Sequence, residues 1–193
     1  MPDRAVFLDR DGTINEEVNY LGSVDQLRFI VGAEAAIARL NQTALKVIVF
    51  TNQAGIARGY FPPDVVERIH SHMEERLSSH RAHLHAFYYC PHHPSEGIGP
   101  YRVDCNCRKP KPGMLHQAAR ELDIDLSRSF VVGDKLSDLK AGQAAGCRLV
   151  LVRTGYGHEA EAKLAELPFQ PDYVAADLLE ASSWILGQVS CGS

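Results

Sequence analysis

Two aspartates, two residues apart, follow the first apolar run of the sequence. The run Ala5–Leu8 leads into Asp9, Arg10 and Asp11, and Gly12 then permits a bend that brings both carboxylates to one point. Close carboxylates repel each other unless a cation or a shared proton offsets their charge. A hard cation such as Mg²⁺ prefers oxygen ligands, so the pair predicts a magnesium site, with a solvated acidic turn as the alternative.

Other polar residues follow later apolar runs in the same way. Thr51 comes directly after one buried-strand pattern, and Asp134 follows another, with Asp138 four residues further on. Lys109 adds a positive charge within the stiff segment Cys-Arg-Lys-Pro-Lys-Pro. Taken singly, these segments are typical of loops, basic surfaces or helix caps. Taken together, they indicate one site assembled from several strand ends.

The elements that must position these residues alternate between short apolar strands and amphipathic helices. The pattern predicts strands over residues 5–8, 45–50, 86–89, 129–132, 148–152 and 172–174. It predicts helices over 33–40, from Pro62-Pro63 to Leu77, after Pro112-Gly113, over 136–145 and over 178–186. Such alternation implies right-handed crossovers and a mainly parallel sheet, hence an α/β fold in three layers. Ligands of such sheets bind at the carboxyl ends of the strands, where these polar residues lie.

Three cysteines and two histidines form a second cluster of reactive residues. Cys90, either His92 or His93, Cys105 and Cys107 have the spacing of a tetrahedral zinc site with three thiolates and one imidazole. Four protein ligands leave no open position, so the zinc is expected to be structural and to fix a loop rich in Gly and Pro. Free buried cysteines beside solvated histidines are the alternative. The spacing alone does not choose between the two histidines.

Length, composition and charge limit the classes of protein that fit this sequence. The 193 residues predict one domain, residues 1–193, which contains a zinc loop over about residues 90–107. The net charge of −4 gives no general attraction to nucleic acid or to an anionic membrane, and no apolar run is long enough to span a bilayer. These features predict neither nucleic-acid nor membrane partners. The N-terminus lacks a signal-peptide pattern, so a cytoplasmic protein is expected, and no large apolar surface stripe demands an oligomer, so a monomer is expected. Cys147 and Cys191 are expected as a core thiol and a tail residue, within a frayed tail over residues 188–193.

In order and spacing, the segments from Asp9 to Asp138 resemble the four motifs of the haloacid dehalogenase (HAD) superfamily of phosphatases. The resemblance implies a Rossmann-like, three-layer α/β sandwich with the zinc-bound loop as an insertion. Neither interval that usually carries a cap domain has room for a large one, so a capless fold is expected. The resemblance also implies that Asp138 orients Lys135 or a metal-bound water rather than binding metal directly.

The same resemblance implies a phosphoaspartyl intermediate. Asp9 is then the nucleophile, because a carboxylate attacks without losing a proton, and Asp11 acts as general acid and then as general base. Mg²⁺ is held by the Asp9 carboxylate, the Asp11 backbone carbonyl and Asp134. Thr51 and Lys109 bind the oxygens of the transferring phosphoryl group.

The segments LDRDGTIN, TNQAGIARGYF, YYCPHHP, CNCRKPKPGML and VGDKLSD are similar to those of the heptose bisphosphate phosphatases in this superfamily. This similarity implies hydrolysis of the 7-phosphate of D-glycero-D-manno-heptose 1,7-bisphosphate for bacterial lipopolysaccharide or related glycans, and His92 as the zinc ligand. Ala54 stands where relatives commonly carry serine, a change that spares a backbone contact but not a hydroxyl contact. The residues that match the family's substrate-binding positions are Glu17, Val18, Asn19, Tyr20, Thr51, Asn52, Gln53, Ala54, Arg108, Lys109 and Lys135.

The second phosphate of such a substrate needs cations of its own. Arg108 suits a bidentate phosphate contact, with Arg58 and Lys111 as further candidates. Histidinol-phosphate phosphatases share the aspartate pair and the zinc loop, so their activity is an alternative. An alternative of another class is a zinc-stabilised nucleic-acid-binding module using Arg108, Lys109 and Lys111, which the net charge opposes.

Overall fold

The computed structural model describes residues 2–190, and for Ser190 the backbone alone. Met1 and residues 191–193 lie outside this part, and with them the expectation for Cys191. The described strands form one sheet in the order β3-β2-β1-β4-β5-β6, in which every neighbouring pair is parallel. The strands are β1 Arg4–Leu8, β2 Leu45–Asn52, β3 Ala86–Cys90, β4 Phe130–Gly133, β5 Arg148–Val152 and β6 Tyr173–Ala175.

Helices cover both faces of this sheet. They are α1 Ala33–Leu40, α2 Ala54–Ala57, α3 Pro63–Ser79, α4 Gly113–Leu122, α5 Leu136–Ala145, α6 Gly157–Ala162 and α7 Leu178–Ser190. Short 3-10 turns occupy Val24–Gln26, Gly99–Tyr101, Leu126–Arg128 and Leu164–Glu166. Among the helices of residues 2–190, none is long and apolar enough to cross a membrane.

Side chains of the central strand alternate between two cores, because successive residues of a strand face opposite sides of the sheet. Val6 and Leu8 belong to the core that includes the apolar stripes of α1, α3 and α7, where Met73 is fully buried. Ala5 and Phe7 belong to the core on the other face, under α4, α5 and α6. This arrangement confirms the expected three-layer α/β sandwich.

The structure extends several of the predicted elements. Strand β2 continues through Asn52, β3 through Cys90, and α7 through Ser190, so the tail predicted to begin at Gln188 is helical as far as the structure describes it. The single-turn helix α2 and the six-residue α6 are too short to show an apolar period, which explains why the pattern misses them.

The strand order decides where the polar residues meet. Strand β1 lies between β2 and β4, and the three strands run parallel, so the residues that follow them emerge at one edge of the sheet. Asp9, Thr51 and Asp134 stand at these three strand ends. The connections from β1 to β2 and from β2 to β3 contain short turns and the helices α1, α2 and α3, without an inserted second domain among the described residues.

Candidate active site

The ends of β1 and β4 place two predicted carboxylates side by side. The backbone N–H of Asp9 donates to the carbonyl of Val132 at 2.9 Å, which continues the pairing of the two strands beyond β1. Asp9 and Asp134 are buried, at 3% and 0% exposure. Asp9 also lines a small cavity of about 40 Å³, together with Thr51 from the end of β2 and six other polar or charged residues.

Lys109 provides the positive charge at the centre of this site. Its Nζ lies 2.9 Å from Oδ1 of Asp9 and 2.7 Å from Oδ1 of Asp138, and it donates to the carbonyl of Phe50 at 3.0 Å. Burial lowers the pKa of Lys109, but the charges of Asp138 and Asp9 outweigh burial and hold that pKa above its usual value. Lys109 is therefore a permanent cation beside the predicted nucleophile.

Asn52 fixes the segment that carries Lys109. Its side-chain Nδ2 donates to the Lys109 carbonyl at 3.1 Å, and its Oδ1 accepts the Lys109 backbone N–H at 3.1 Å. The two bonds join the end of β2 to a residue 57 positions later. This pairing explains how a loop residue reaches a defined position between two buried carboxylates.

Asp9, Asp134 and Asp138 form a cluster in which one carboxylate oxygen of each residue lies within 4.8 Å of the others. Oδ2 of Asp134 accepts the backbone N–H of Tyr156 at 2.8 Å, while its buried Oδ1 has no hydrogen-bond partner among the described residues. Burial, and next the charge of Asp9, raise the pKa of Asp134 to about 8. An unpartnered carboxylate oxygen in a cluster short of positive charge is a donor set that suits a divalent cation such as Mg²⁺.

Two glycines make room for the Asp134 carboxylate. Gly12 has φ +85° and Gly155 has φ +55°, and a Cβ atom at either position would collide with Oδ2 of Asp134. Thr154 supports this packing, because its hydroxyl donates to the Gly12 carbonyl at 2.6 Å. The glycine after the aspartate pair thus permits both a left-handed backbone and a close approach to the carboxylate.

Asp138 differs from Asp134 in its contacts. Its Oδ1 pairs with the Lys109 ammonium, and its Oδ2 accepts the backbone N–H of Lys135 at 2.9 Å. Asp138 therefore binds Lys135, as expected, but it contacts the backbone N–H of that residue and not its side chain. The side chain that Asp138 holds in place is Lys109.

Asp11 has a carboxylate surrounded by donors. Arg10 donates to both oxygens, from Nε at 3.1 Å and from Nη2 at 2.9 Å, while Asn15 and Gln53 each donate one further bond at 2.9 Å. Burial raises the pKa of Asp11, but the charge of Arg10 and the hydrogen bonds from Arg10, Asn15 and Gln53 together outweigh burial and hold that pKa below its ordinary value. Gln53 also donates to the Thr51 hydroxyl at 2.9 Å, so it links two predicted site residues.

The small cavity adjoins a larger polar cleft of about 380 Å³. Nine of the eleven predicted substrate-binding residues line this cleft: Glu17, Asn19, Tyr20, Asn52, Gln53, Ala54, Arg108, Lys109 and Lys135. Thr51 lines the small cavity instead, and Val18 is not among the lining residues of either. The structure thus brings together residues from four separate parts of the sequence.

The two further cations expected for a second phosphate are engaged elsewhere. Arg58 forms an ion pair with Glu96 and lies over the ring of Tyr20. Lys111 pairs with Asp104 at 2.6 Å on the surface. Neither lines the cleft, which leaves Arg108 and Lys135 as the cations there beside Lys109.

Tyr156 and Ser137 line the cleft and were not predicted from the sequence. Tyr156 contacts the site at three points: its backbone N–H binds Asp134, its ring lies 4.9 Å from Nζ of Lys135, and its hydroxyl is 3.3 Å from Oδ1 of Asn19. A signal that could have found it is its position just after β5, at another carboxyl end of the parallel sheet.

The four predicted zinc ligands converge at the end of β3. Their ligand atoms all lie within 4.8 Å of one another, and the histidine atom involved is Nδ1 of His92. The Sγ atoms of Cys90 and Cys107 lie 3.4 and 3.1 Å from that of Cys105, which is too far for disulfide bonds. A hydrogen bond from Cys90, with further bonds from Cys105 and His92, lowers the pKa of Cys107 to about 5. Three thiols and one imidazole in this arrangement could hold a zinc ion.

His93 faces away from the cysteines. Its Nδ1 accepts the backbone N–H of Glu96 at 3.0 Å, and its Nε2 lies 3.5 Å from the carboxylate of the same residue. Arg108, which follows Cys107 directly, donates to the carbonyl of His92 at 3.1 Å. Arg108, a cation that lines the cleft, is thus linked to the Cys/His cluster twice. It is joined to Cys107 by the peptide bond and to His92 by this hydrogen bond.

Comparisons with known proteins agree on one family. Residues 106–181 match the family model described as HAD-hydrolase-like. The chain is 48% identical over 154 residues to D-glycero-beta-D-manno-heptose-1,7-bisphosphate 7-phosphatase of Haemophilus influenzae, which covers 79% of this chain and 83% of the relative. It is 42% identical over 189 residues to D-glycero-D-manno-heptose-1,7-bisphosphate 7-phosphatase of Thermosynechococcus vestitus, covering 96% of each.

A solved structure is similar over almost the whole chain. It is D,D-heptose 1,7-bisphosphate phosphatase from B. bronchiseptica, complexed with magnesium and phosphate. The TM-score is 0.87 at 36% sequence identity, with 96% of this chain and 99% of that chain covered.

We predict that Cys105→Ser removes bound zinc and lowers thermal stability. The purified chain should contain one zinc per molecule, the variant almost none, and its Tm should fall by at least about 5 °C because metal binding stabilises the loop. Elemental analysis and thermal denaturation measure both effects. Cys147→Ser, at a buried cysteine outside the cluster, should keep its zinc, and a zinc-free but fully stable wild-type chain would contradict the prediction.

Proposed function

Since the chain belongs to the family of D-glycero-D-manno-heptose-1,7-bisphosphate 7-phosphatases within the HAD-like hydrolases, we propose that it removes the 7-phosphate of D-glycero-D-manno-heptose 1,7-bisphosphate to leave heptose 1-phosphate. Membership of this family makes the chain a phosphoric monoester hydrolase. The observation that carries the proposal is the buried group of Asp9, Lys109 and Asp134 at the inner end of a cleft that Arg108 and Lys135 line.

Asp9 attacks the phosphorus atom of the 7-phosphate. The bonds from Arg10 N–H and Lys109 both fall on its Oδ1, so we assign the attack to Oδ2. A bond forms between this oxygen and phosphorus while the bond from phosphorus to the sugar O7 breaks, which gives an aspartyl phosphate. Lys109 and the Thr51 hydroxyl bind the phosphoryl oxygens as the charge redistributes.

Asp11 carries the proton between the two half-reactions. Its lowered pKa keeps it ionised in the free enzyme, and the approach of an anionic phosphate raises that pKa because like charges disfavour the ionised form. Asp11 then takes up one proton from solvent, and the carboxyl so formed donates this proton to the departing O7 alkoxide. The resulting carboxylate then takes a proton from the water that hydrolyses the aspartyl phosphate.

We assign Mg²⁺ to the carboxylates of Asp9 and Asp134 and to the backbone carbonyl of Asp11. The buried, unpartnered Oδ1 of Asp134 supports this assignment. When bound there, Mg²⁺ supplies positive charge that offsets the clustered carboxylates and the phosphate. Asp138 belongs to the same cluster but is already neutralised by Lys109, which supports a role in holding that lysine.

Zinc on Cys90, His92, Cys105 and Cys107 has a structural role in this proposal. The segment after Cys107 contains both Arg108 and Lys109, so a fixed Cys107 limits the movement of two cations. The remote 1-phosphate and the sugar hydroxyls then occupy the larger cleft. Arg108 binds the 1-phosphate through its guanidinium, because that group matches two phosphate oxygens at once.

A comparison of two substrates tests the proposed specificity. We expect kcat/KM with Mg²⁺ to be much higher for D-glycero-D-manno-heptose 1,7-bisphosphate than for histidinol phosphate, since the latter has no second phosphate for Arg108. Release of inorganic phosphate from both substrates under the same conditions measures the ratio. A preference for histidinol phosphate would reject the assignment in favour of the amino-alcohol phosphatase.

Asp9→Asn should lower kcat by about 10³-fold or more, because an amide is a poor nucleophile. Asp104→Asn, the same change at an exposed aspartate, is the control and should keep wild-type turnover. Borohydride reduction of quenched wild-type reactions should convert position 9 to homoserine, the product expected from an aspartyl phosphate. Substantial turnover by pure, folded Asp9→Asn protein would contradict a covalent mechanism.

Arg108→Ala should lower kcat/KM for the 1,7-bisphosphate by about 10- to 100-fold, since charge-assisted hydrogen bonds contribute about 1.5–3 kcal/mol. It should have a much smaller effect on the 7-monophosphate, which lacks the group that Arg108 binds. Lys111→Ala, two residues from the cleft-lining Lys109, should change neither value. Equal losses on both substrates in a zinc-loaded variant would show that Arg108 does not recognise the second phosphate.

A further inference from the structure

Arg10 lies between the two aspartates in the sequence and is completely buried. Two of its nitrogens, Nε and Nη2, bind the two oxygens of Asp11. The third, Nη1, lies 3.3 Å from Nε2 of His70, a residue of α3 that is 60 positions away in the sequence. The guanidinium thus spans the distance between a helix and the carboxylate that handles the proton.

His70 is held as a neutral hydrogen-bond acceptor. Its ring is 7% exposed and stacks on Phe87 of β3, with centroids 4.2 Å apart, and it meets the edge of Tyr89 on the same strand. Burial, and next the charge of Arg10, lower the pKa of His70 to about 3. Since Arg10 can only donate, the neutral Nε2 must accept, and the ring proton is then on Nδ1.

We propose that His70 is a positioning residue for the acid–base group: it anchors the Arg10 guanidinium, which in turn fixes the orientation of the Asp11 carboxylate. This inference rests on the proposed function, because it assigns a role relative to the proton transfer at Asp11. Without the acceptor at His70, Nη1 of Arg10 is a buried donor without a partner. The guanidinium can then turn, and its two parallel bonds to Asp11 no longer hold one geometry.

The consequence falls on one chemical step. When the bond from phosphorus to O7 breaks, its electron pair goes to O7, and the Asp11 carboxyl gives O7 the proton that makes it an alcohol. A sugar alkoxide depends on this proton because it is a strong base. A nitrophenolate leaving group is stable as an anion and departs without one. A misplaced Asp11 should therefore slow the hydrolysis of the sugar phosphate selectively.

The experiment compares kcat/KM on the heptose bisphosphate and on p-nitrophenyl phosphate, since kcat/KM reports the steps up to departure of the first leaving group. In His70→Phe the ring and its stacking remain and the acceptor is lost. We expect kcat/KM on the sugar phosphate to fall by about 10- to 100-fold, less than the 10²–10⁴-fold contribution of a complete acid–base group, with little change on the aryl phosphate.

Two further variants separate positioning from general damage to the fold. His70→Gln offers an amide oxygen to Arg10 and should recover most of the activity on the sugar phosphate. His72→Phe makes the same substitution on the exposed side of the same helix and should behave as wild type on both substrates. Thermal denaturation of all three proteins shows whether any of them is unfolded.

Different results overturn the two proposals. Two results, each obtained beside an active wild type, would refute the positioning role but not the proposed function. One is a fall in kcat/KM of His70→Phe that is equal on both substrates. The other is a folded His70→Gln protein that recovers no activity on the sugar phosphate. A wild type that does not hydrolyse the heptose bisphosphate, or a fully active Asp9→Asn, would refute the proposed function and the role of His70 with it.

Discussion

The site depends on the interaction of one buried lysine with a group of buried carboxylates. Asp9, Asp134 and Asp138 have oxygens within 4.8 Å of one another, and Lys109 is in contact with two of the three. Buried charges of one sign destabilise a fold unless they are paired or neutralised. Burial, and next the charge of Asp9, raise the pKa of Asp134, so the cluster disfavours the ionised form of this carboxyl. This clustering of buried carboxylates supports the proposed cation site.

The rest of the structure holds these charges at fixed distances. The parallel pairing of β1 and β4 places Asp9 beside Asp134, and the Asn52 side chain fixes the backbone of Lys109. Cys107 is two residues before Lys109 and belongs to the Cys/His cluster, so the loop is secured on both sides of Arg108. Preorganised charges of this kind need no rearrangement when a phosphate arrives, which is the main source of electrostatic stabilisation in enzymes.

The sequence predicted the parts of the site that follow from strand ends. Asp9, Thr51 and Asp134 each come directly after an apolar run, and parallel strands necessarily bring such residues to one edge. Tyr156 also follows a strand end, but it comes four residues after β5 and reaches Asp134 through a backbone contact that its residue type does not reveal. His70 could not be predicted in this way, because it lies within a helix whose apolar stripe looks like ordinary core.

The remaining differences between the sequence predictions and the structure come from side-chain partners that the sequence does not reveal. The residue types of Arg58 and Lys111 suit phosphate, yet each pairs with a nearby acid, Glu96 or Asp104, and lies outside the cleft. The spacing of the cysteines does not decide whether His92 or His93 is the fourth zinc ligand, because either imidazole could reach the three thiols. The turn that directs His93 toward Glu96 exists only in the folded loop.

The two aspartates of the first motif are neutralised by different cations, and this separates their chemistry. Asp9 shares Lys109 with Asp138, whereas Asp11 has the guanidinium of Arg10 almost to itself. The charge of Arg10 helps to hold the pKa of Asp11 below its ordinary value, whereas burial, and next the charge of Asp9, raise the pKa of Asp134. Environments that shift the pKa values of neighbouring carboxyl groups in opposite directions allow one group to bind a cation and another to transfer a proton within the same cavity. The buried Arg10 between the two aspartates is therefore more than a spacer: it keeps Asp11, the proposed proton-transfer group, electrostatically distinct from Asp9, the proposed nucleophile.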